Sequence, residues 1–466
     1  MPFTRRRRAT SAILFSPRGG SSHAAREFAS RLPGAGWPTA LLAGSRPDAG
    51  RLADAREFYR SVGDLHVVDF SDALRAPDPM RPPAGTPPMH PSFEDRPGAP
   101  DRVFAVLDDA AYARQVQAWG PALRRAGSDE ASVLHLHHLT PLNEAARRAA
   151  PDVPVVGHLH GTELLMLEAI AAGPPSGWVH AAAWARRLRR WAAQADRLVV
   201  ATARGAARAE RLLGADPQRI VVIPNGVDPD RFAPGPSDRQ ALWSRVLLDG
   251  PQGWRPGGPV GGWRATAADV GRLADDPVFL YVGRFTAVKR VPLLIEAFSR
   301  ARERLGGRAS LVIVGGHPGE WEGEHPADTI ERTGAQGVLL AGWHDQAALP
   351  DMLRASDVVV LPSVNEAFGQ VLVEGMACGR PAIAIDRGGP AEIVRDGVTG
   401  WLVAGDDASA LEAAIVAAAR DPAERRRRGG RGRRSVLARY TWAALTRQLA
   451  DVFDAVTAGA AERPAA

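Results

Sequence analysis

At 466 residues, with 45% hydrophobic and 24% charged side chains, the chain is too long for one ordinary core and too apolar for a disordered or fibrous protein, so two domains of roughly 200 residues are expected. A single cysteine, Cys378, excludes an internal disulfide and fits a reducing, cytoplasmic setting. No stretch reaches the roughly 18 uninterrupted apolar residues of a membrane helix, and the net charge of +6 resides largely in Arg5–Arg8 and Arg425–Arg434. Those runs read as solvated charge, with an anionic membrane surface or acidic acceptor as the alternative. Zinc-finger spacing, aromatic-basic RNA signatures and basic heptads are all missing, so nucleic acid is not an expected partner.

The N-terminus imitates a secretory leader, but its apolar run, Ala9 to Phe15, ends too early at Ser16-Pro17-Arg18-Gly19 and reads as a strand. Short β-branched runs then alternate with helix-periodic stretches. Strands are expected near Ser11–Phe15, Pro38–Leu42, Leu65–Phe70, Val133–Leu136, Val153–Leu159, Arg197–Ala201 and Ile220–Ile223. After Pro224-Asn225-Gly226-Val227-Asp228 they recur near Val278–Val282, Ala309–Val314, Val338–Ala341, Val358–Leu361 and Pro381–Ile385. This alternation predicts parallel sheets covered by helices, an α/β fold with two Rossmann-like domains. The expected division is an N-terminal domain over 1–230, a Pro/Gly/Trp-rich insertion or linker over 231–276, and a C-terminal domain over 277–440. A last amphipathic helix over 441–460 follows. A proline-dense segment, Pro77 to Pro100, reads as an irregular loop, with an acceptor-side lid as one reading.

Chemistry concentrates where strands end. After Val358–Leu361 comes Pro362-Ser363-Val364-Asn365-Glu366-Ala367-Phe368-Gly369-Gln370, with a helix expected from about Gly369. Strand carboxyl ends and helix N-termini are where open α/β sheets take anions, and a diphosphate suits this one. Glu366 and Glu374 flank it. Carboxylates repel phosphate, so sugar and ribose hydroxyls are their natural partners, with N-terminal helix capping as the plainer alternative. Tyr281-Val282-Gly283-Arg284-Phe285 ends another strand, and Lys289 is the one lysine among 58 basic residues. A planar guanidinium and a compact ammonium together can neutralise a departing diphosphate without metal.

In the first half, Gly19-Gly20-Ser21-Ser22 lies between a strand and a helix expected over Ala24–Leu32, where paired glycines admit a ligand close to the backbone. His135, His137 and His138, with His158 and His160, end two neighbouring strands. Alternation puts His135 with His137, and His158 with His160, on common faces. A polar cleft wall or substrate contact outweighs a metal site, because no carboxylate or cysteine stands at ligand spacing. The sequence lacks a P-loop, a G-x-G-x-x-G turn and a G-x-S-x-G elbow, which disfavours kinase, dehydrogenase and esterase chemistry.

These segments together resemble the family 4 glycosyltransferases, retaining enzymes of the GT-B fold with two Rossmann-like domains facing a central cleft. The resemblance runs through Gly19-Gly20, His160-Gly161-Thr162-Glu163, Pro224–Asp228, Val282-Gly283-Arg284 with Lys289, Glu366-(seven residues)-Glu374, Met376–Pro381 and Gly388–Val394. It implies transfer of a hexose-type sugar from a nucleoside diphosphate sugar to a small-molecule, glycan or lipid-linked acceptor. It further implies that His160 sits beside the anomeric centre and Glu366 holds the transferred sugar. Arg284 and Lys289 would grip the diphosphate and Glu374 the ribose, with Gly20, Phe368 and Gly369 also on the donor. No metal or other cofactor is implied, the sugar nucleotide being a co-substrate, and the final helix is expected to return to the first domain. The segments Pro77–Pro100 and Pro236–Asp276 are longer than the family usually carries.

Overall fold

The computed structural model describes residues 7–17, 19–51, 53–94, 100–405 and 407–461. They divide into two compact units, one holding residues up to Asn225 together with the closing helix Trp442–Ala461, the other spanning Gly226–Thr441.

The first unit is built on a parallel sheet of β1 (Ala9–Ile13), β2 (Thr39–Ser45), β3 (Asp64–Asp69), β4 (Val133–His137), β5 (Val155–His158), β6 (Arg197–Val200) and β7 (Ile220–Val222), in the order β3-β2-β1-β4-β5-β6-β7. The second carries β8 (Val278–Gly283), β9 (Ser310–Gly315), β10 (Val338–Gly342), β11 (Val358–Leu361), β12 (Ala382–Ile385) and β13 (Gly400–Val403), in the order β10-β9-β8-β11-β12-β13. In each sheet the order reverses once, between β1 and β4 and between β8 and β11, and the crevice at such a reversal is where α/β sheets hold ligands. The strands at both reversals are largely buried; β11 is wholly apolar, while β1 and β4 carry Thr10, Ser11, His135 and His137 inside.

The closing helix belongs to the first unit for a visible reason. Trp442, Leu445, Leu449, Phe453 and Val456 recur at helical spacing and are buried with Phe28, Leu32 and Trp37. Trp37 and Phe453 meet edge to face with ring centres 5.3 Å apart.

Four sequence expectations change in detail. The strand β13 was not foreseen, its run Gly-Trp-Leu-Val offering only three apolar residues after an opening glycine. The first helix starts at Gly19, not Ala24, so the paired glycines form its opening turn. The proline-dense segment is irregular, yet Met80, Met89 and Phe93 are buried in the first unit's core, which ties its described part down; residues 95–99 lie outside the described residues.

The fourth change concerns the arginine run at 425–434, which is not a freely solvated segment. It lies in the helix Pro422–Arg439, whose Gly429 and Gly432 are buried. A Cβ at Gly429 would stand 2.0 Å from the carbonyl oxygen of Gly379, so only glycine lets this helix approach so closely. Arg425 donates to the carbonyls of Ala418 (2.6 Å) and Ala419 (2.8 Å) at the end of the preceding helix, and Arg428 lies over the Trp401 ring at 4.0 Å. Of the N-terminal charge run, Arg5 and Arg6 lie outside the described residues.

Candidate active site

The second unit gathers one group of expected residues around β8 and β11. β8 ends at Gly283, and the next residues turn through Arg284 and Phe285 into the single turn Ala287–Lys289. Four contacts fix this loop. The buried Tyr281 hydroxyl donates to the Arg284 carbonyl at 2.8 Å, and Glu322 N–H to the Phe285 carbonyl at 2.8 Å. Ala287 N–H donates to the Glu322 carboxylate at 3.1 Å, and Val364 N–H to the Val288 carbonyl at 3.1 Å. Burial, aided by the charge of Glu366, pushes the Tyr281 phenol well above its ordinary range, so it stays a neutral donor.

From this loop Lys289 reaches the loop after β11 and forms an ion pair with Glu366 through Oε2. The family resemblance gave the lysine to a diphosphate and the glutamate to a sugar; the structure joins them to each other. Glu366 is itself held from behind. Gly389 N–H donates to its carbonyl at 2.9 Å, and a Cβ at Gly388 would stand 2.5 Å from that same oxygen. A Cβ at Gly389 would meet the Cα of Phe368 at 2.4 Å. The Gly388-Gly389 pair after β12 therefore sets the course of residues 366–368, and any side chain there would displace them.

The helix Gln370–Ala377 begins after Gly369, whose φ of 101° is left-handed, and no side chain caps its N-terminus. Leu372 N–H turns back to the Gly369 carbonyl at 2.9 Å, and the amides before it form the partly positive end that suits an anion. Glu374, in the second turn, is 3% exposed. Its Oε1 accepts from Gln346 Nε2 and Gln370 Nε2, each at 3.3 Å, and Gln370 Nε2 also donates to the Gly226 carbonyl at 2.8 Å. Sequence reasoning missed both glutamines. For Gln370 a signal existed: it stands four residues before Glu374, one helical turn away.

The first unit gathers the histidines. His135 Nε2 lies 3.1 Å from His158 Nδ1, and His137 Nδ1 lies 3.0 Å from His160 Nε2. Ser11 Oγ adds a contact to His135 Nδ1 at 3.3 Å. The expected pairing of faces is thus observed, as a two-by-two array of imidazoles across β4 and the end of β5. Burial first, and the neighbouring imidazoles second, hold His135, His137 and His160 well below the usual range, and His158 falls to about 3. The array is neutral at ordinary pH. One nitrogen from each of His135, His137 and His158 lies within 4.8 Å of the others, close enough to share a metal ion, and no carboxylate joins that trio among the described residues.

His138 turns the other way, in the left-handed region with φ 65°, and its Nδ1 meets the fully buried Glu163 at 3.4 Å. Burial alone would raise the Glu163 carboxyl, but the His138 ring and the His160 N–H hold it below its ordinary range. Glu163 accepts from that His160 N–H at 3.3 Å, which fixes the His160-Gly161 turn. A carboxylate thus does stand beside the histidines, brought there by a turn the spacing did not reveal. Gly20 lies inside the first helix, and a Cβ there would meet nothing within 4 Å, so the protein's own packing does not require glycine at that position.

Two parallel sheets, each reversing once, with the Lys289–Glu366 ion pair in the loop that leads into an uncapped helix, are the arrangement of a GT-B protein. Residues 18–231 match the family described as Glycosyltransferase Family 4, and residues 265–435 match Glycosyl transferases group 1. A D-inositol 3-phosphate glycosyltransferase of Xylanimonas cellulosilytica is 31% identical over 430 residues, covering 89% of this chain and 90% of that one. A second such protein, from Catenulispora acidiphila, is 35% identical over 268 residues, and there the chain spans only 56% of the relative's length. Among solved structures, sucrose-phosphate synthase of Thermosynechococcus elongatus superposes with a TM-score of 0.69 at 20% identity, covering 97% of this chain and 100% of that one. The Anabaena HepE protein in complex with UDP and glucose gives 0.65 at 17%, covering 96% and 99%. The chain belongs to family 4 of the glycosyltransferases, and it is an enzyme of that class.

Proposed function

We propose that the chain moves a hexose-type sugar from a nucleoside diphosphate sugar to a hydroxyl of a small polar acceptor, with retention at the anomeric carbon. The observation that carries the donor half is the Lys289–Glu366 pair beside the uncapped N-terminus of Gln370–Ala377. An incoming diphosphate competes with Glu366 for the ammonium, and the released carboxylate becomes free to accept from sugar hydroxyls. Glu374, held at Oε1 by two amides, is assigned to the ribose on the family resemblance.

Breaking the anomeric bond places negative charge on the departing diphosphate. Lys289 and the helix amides, with Arg284 assigned to the diphosphate on the family resemblance, meet that charge from a loop its own hydrogen bonds already fix, so stabilising it requires little reorganisation. No metal is invoked, since these cations supply the neutralisation. The acceptor attacks from the face the diphosphate leaves, and its proton passes to the leaving phosphate. His160 is assigned to the sugar's anomeric region on the family resemblance, and Gly20 to close backbone approach, supported by the open space above it.

UDP is the first nucleotide to test, because Anabaena HepE is seen with UDP; D-inositol 3-phosphate is the first acceptor, because the 31%-identical relative bears that name. Thermal shifts with UDP, GDP, ADP and dTDP, each with and without EDTA, test the donor site. At 100 times its dissociation constant a nucleotide stabilises by about 2.7 kcal/mol. EDTA-insensitive stabilisation by one of them is the expected result; no shift in a folded protein rejects the reading.

Among the described residues no helix is long and apolar enough to cross a membrane. The helix Pro422–Arg439 nonetheless turns Arg426, Arg431 and Arg434 outward, beside the exposed Leu437. A peripheral contact with anionic lipid through that face is part of the proposal. Co-sedimentation with phosphatidylglycerol vesicles, and none with phosphatidylcholine, is the expected outcome.

A further inference from the structure

The tryptophan-rich segment over 236–276 is not a slack linker. It contains the helix Arg239–Ser244 and the helix Ala267–Asp275, the latter opened by a reciprocal Thr266–Asp269 capping box. Between them the chain runs along the open edge of the second sheet. Gln252 bridges to Gly342 at the end of β10, where a Cβ on Gly342 would stand 2.0 Å from the Gln252 carbonyl oxygen. A Cβ on Gly253 would in turn stand 2.3 Å from the Leu340 carbonyl oxygen. The glycines at 253 and 342 therefore let the insertion lie directly on the β10 edge.

From that edge Trp254, 4% exposed, enters the unit. Its indole N–H donates to the Gly316 carbonyl at 2.9 Å, and its ring stacks on Phe285 with centres 6.5 Å apart and planes 28° apart. His325, at 4.5 Å, and Trp321, at 5.7 Å, close the cluster. Phe285 lies between Arg284 and the turn that carries Lys289. Behind it, Gly315-Gly316 presses on the same loop: a Cβ at Gly315 would stand 2.0 Å from the Gly283 carbonyl oxygen, and one at Gly316 2.1 Å from the Phe285 ring. The loop that carries both cations is thus clamped between the end of β9 and an aromatic cluster whose central ring the insertion provides.

We propose that the 236–276 segment is a positioning element of the phosphate-binding loop, and that Trp254 acts through Phe285 to hold Arg284 and Lys289 at the spacing a diphosphate requires. This rests on the donor-site reading above. It accounts for an insertion the family resemblance leaves unexplained, and it makes Trp254 a positioning residue rather than a catalytic one. Displacing preorganised cations weakens phosphate contacts and leaves contacts to base and ribose in place. Loss of the indole should therefore discriminate between a nucleotide and its nucleoside, which a general loss of stability does not.

The test is calorimetric titration of the full chain with UDP and with uridine, GDP and ADP being run alongside and the tightest carried forward with its own nucleoside. Trp254→Ala should weaken the diphosphate about tenfold and the nucleoside by less than about twofold, tenfold being roughly one charge-assisted contact. Trp254→Phe keeps the stacked ring without the N–H to Gly316 and should fall between Trp254→Ala and the wild type. Leu411→Ala opens a cavity in the helix Ala408–Arg420, outside the insertion, and should weaken neither ligand. Parallel weakening of nucleotide and nucleoside in Trp254→Ala, or no weakening of either, overturns the inference while leaving the donor site intact. A wild-type protein that binds no nucleoside diphosphate overturns the donor-site reading itself, and the inference with it.

Discussion

Replacing Lys289 with alanine separates binding from folding at the donor site. The ammonium is paired with Glu366, and the two side chains are 18% and 17% exposed. The pair is largely buried, so removing the ammonium leaves Glu366 partly desolvated and unpaired at a folding cost of about 1–3 kcal/mol; for a domain of this size the melting temperature should fall by about 2–12 °C. The ligand meets a different balance. A hydrogen bond to a charged group contributes about 1.5–3 kcal/mol, and the substitution also leaves Glu366 as an uncompensated negative charge where a diphosphate must sit. At tenfold per 1.4 kcal/mol, nucleoside diphosphate affinity should drop by about 10- to 150-fold. Glu366→Gln makes the opposite change, freeing the ammonium, and should bind the nucleotide at least as tightly as wild type while losing sugar transfer. Calorimetric titration of the three proteins with the nucleotide that stabilises wild type is the assay. Lys289→Ala binding within about twofold of wild type would refute the reasoning, as would Glu366→Gln binding more weakly than Lys289→Ala.

Gly389→Ala places a methyl 2.4 Å from the Phe368 Cα, so it should shift residues 366–368 and destabilise by about 1–3 kcal/mol, with nucleotide binding reduced, measured by denaturant titration and calorimetry. Gln370→Leu removes the amide shared by Glu374 and the Gly226 carbonyl; nucleotide affinity should fall about tenfold while fold and melting cooperativity persist. The histidine array predicts a pH dependence for the first unit. His135, His137, His158 and His160 have folded pKa values depressed from the ordinary 6.5, so below that pH the unfolded chain binds protons the folded one refuses. Their contribution is fully present above pH 6.5 and is lost as pH falls below it, at up to about 1.4 kcal/mol per pH unit for each histidine. Denaturation midpoints measured between pH 7.5 and 5 should decline steeply, and less so in His158→Gln; a flat profile in that range would contradict it.

The sheets were legible because buried parallel strands are short unbroken apolar runs, and Val358–Leu361 has the same bounds in sequence and structure. Strand β13 escaped because Gly400 opens it and only three residues follow. Arg284, Lys289, Glu366 and Glu374 were legible as chemistry-bearing residue types after strand ends, but their partners were not. That Lys289 meets Glu366, 77 positions away, depends on β8 and β11 lying side by side, and chain order does not encode that adjacency locally. The Glu163–His138 contact depends in the same way on β4 beside β5. The arginine helix was misread for a different reason. Charge runs are usually solvated, and only Gly429, Gly432 and Val436, at helical spacing, mark the face that packs. Trp254 was visible as one of several tryptophans, with nothing in the sequence to say which of them meets Phe285.

The central claim is tested most directly by product analysis. The protein is incubated with a panel of sugar nucleotides built on the base that stabilises it, with D-inositol 3-phosphate as first acceptor, in the presence of EDTA. Proton NMR then follows the anomeric signal and the released nucleotide. The account predicts stoichiometric release of nucleoside diphosphate and a product whose anomeric configuration matches the donor's. An inverted product, or turnover that appears only when a divalent metal is restored, would contradict it.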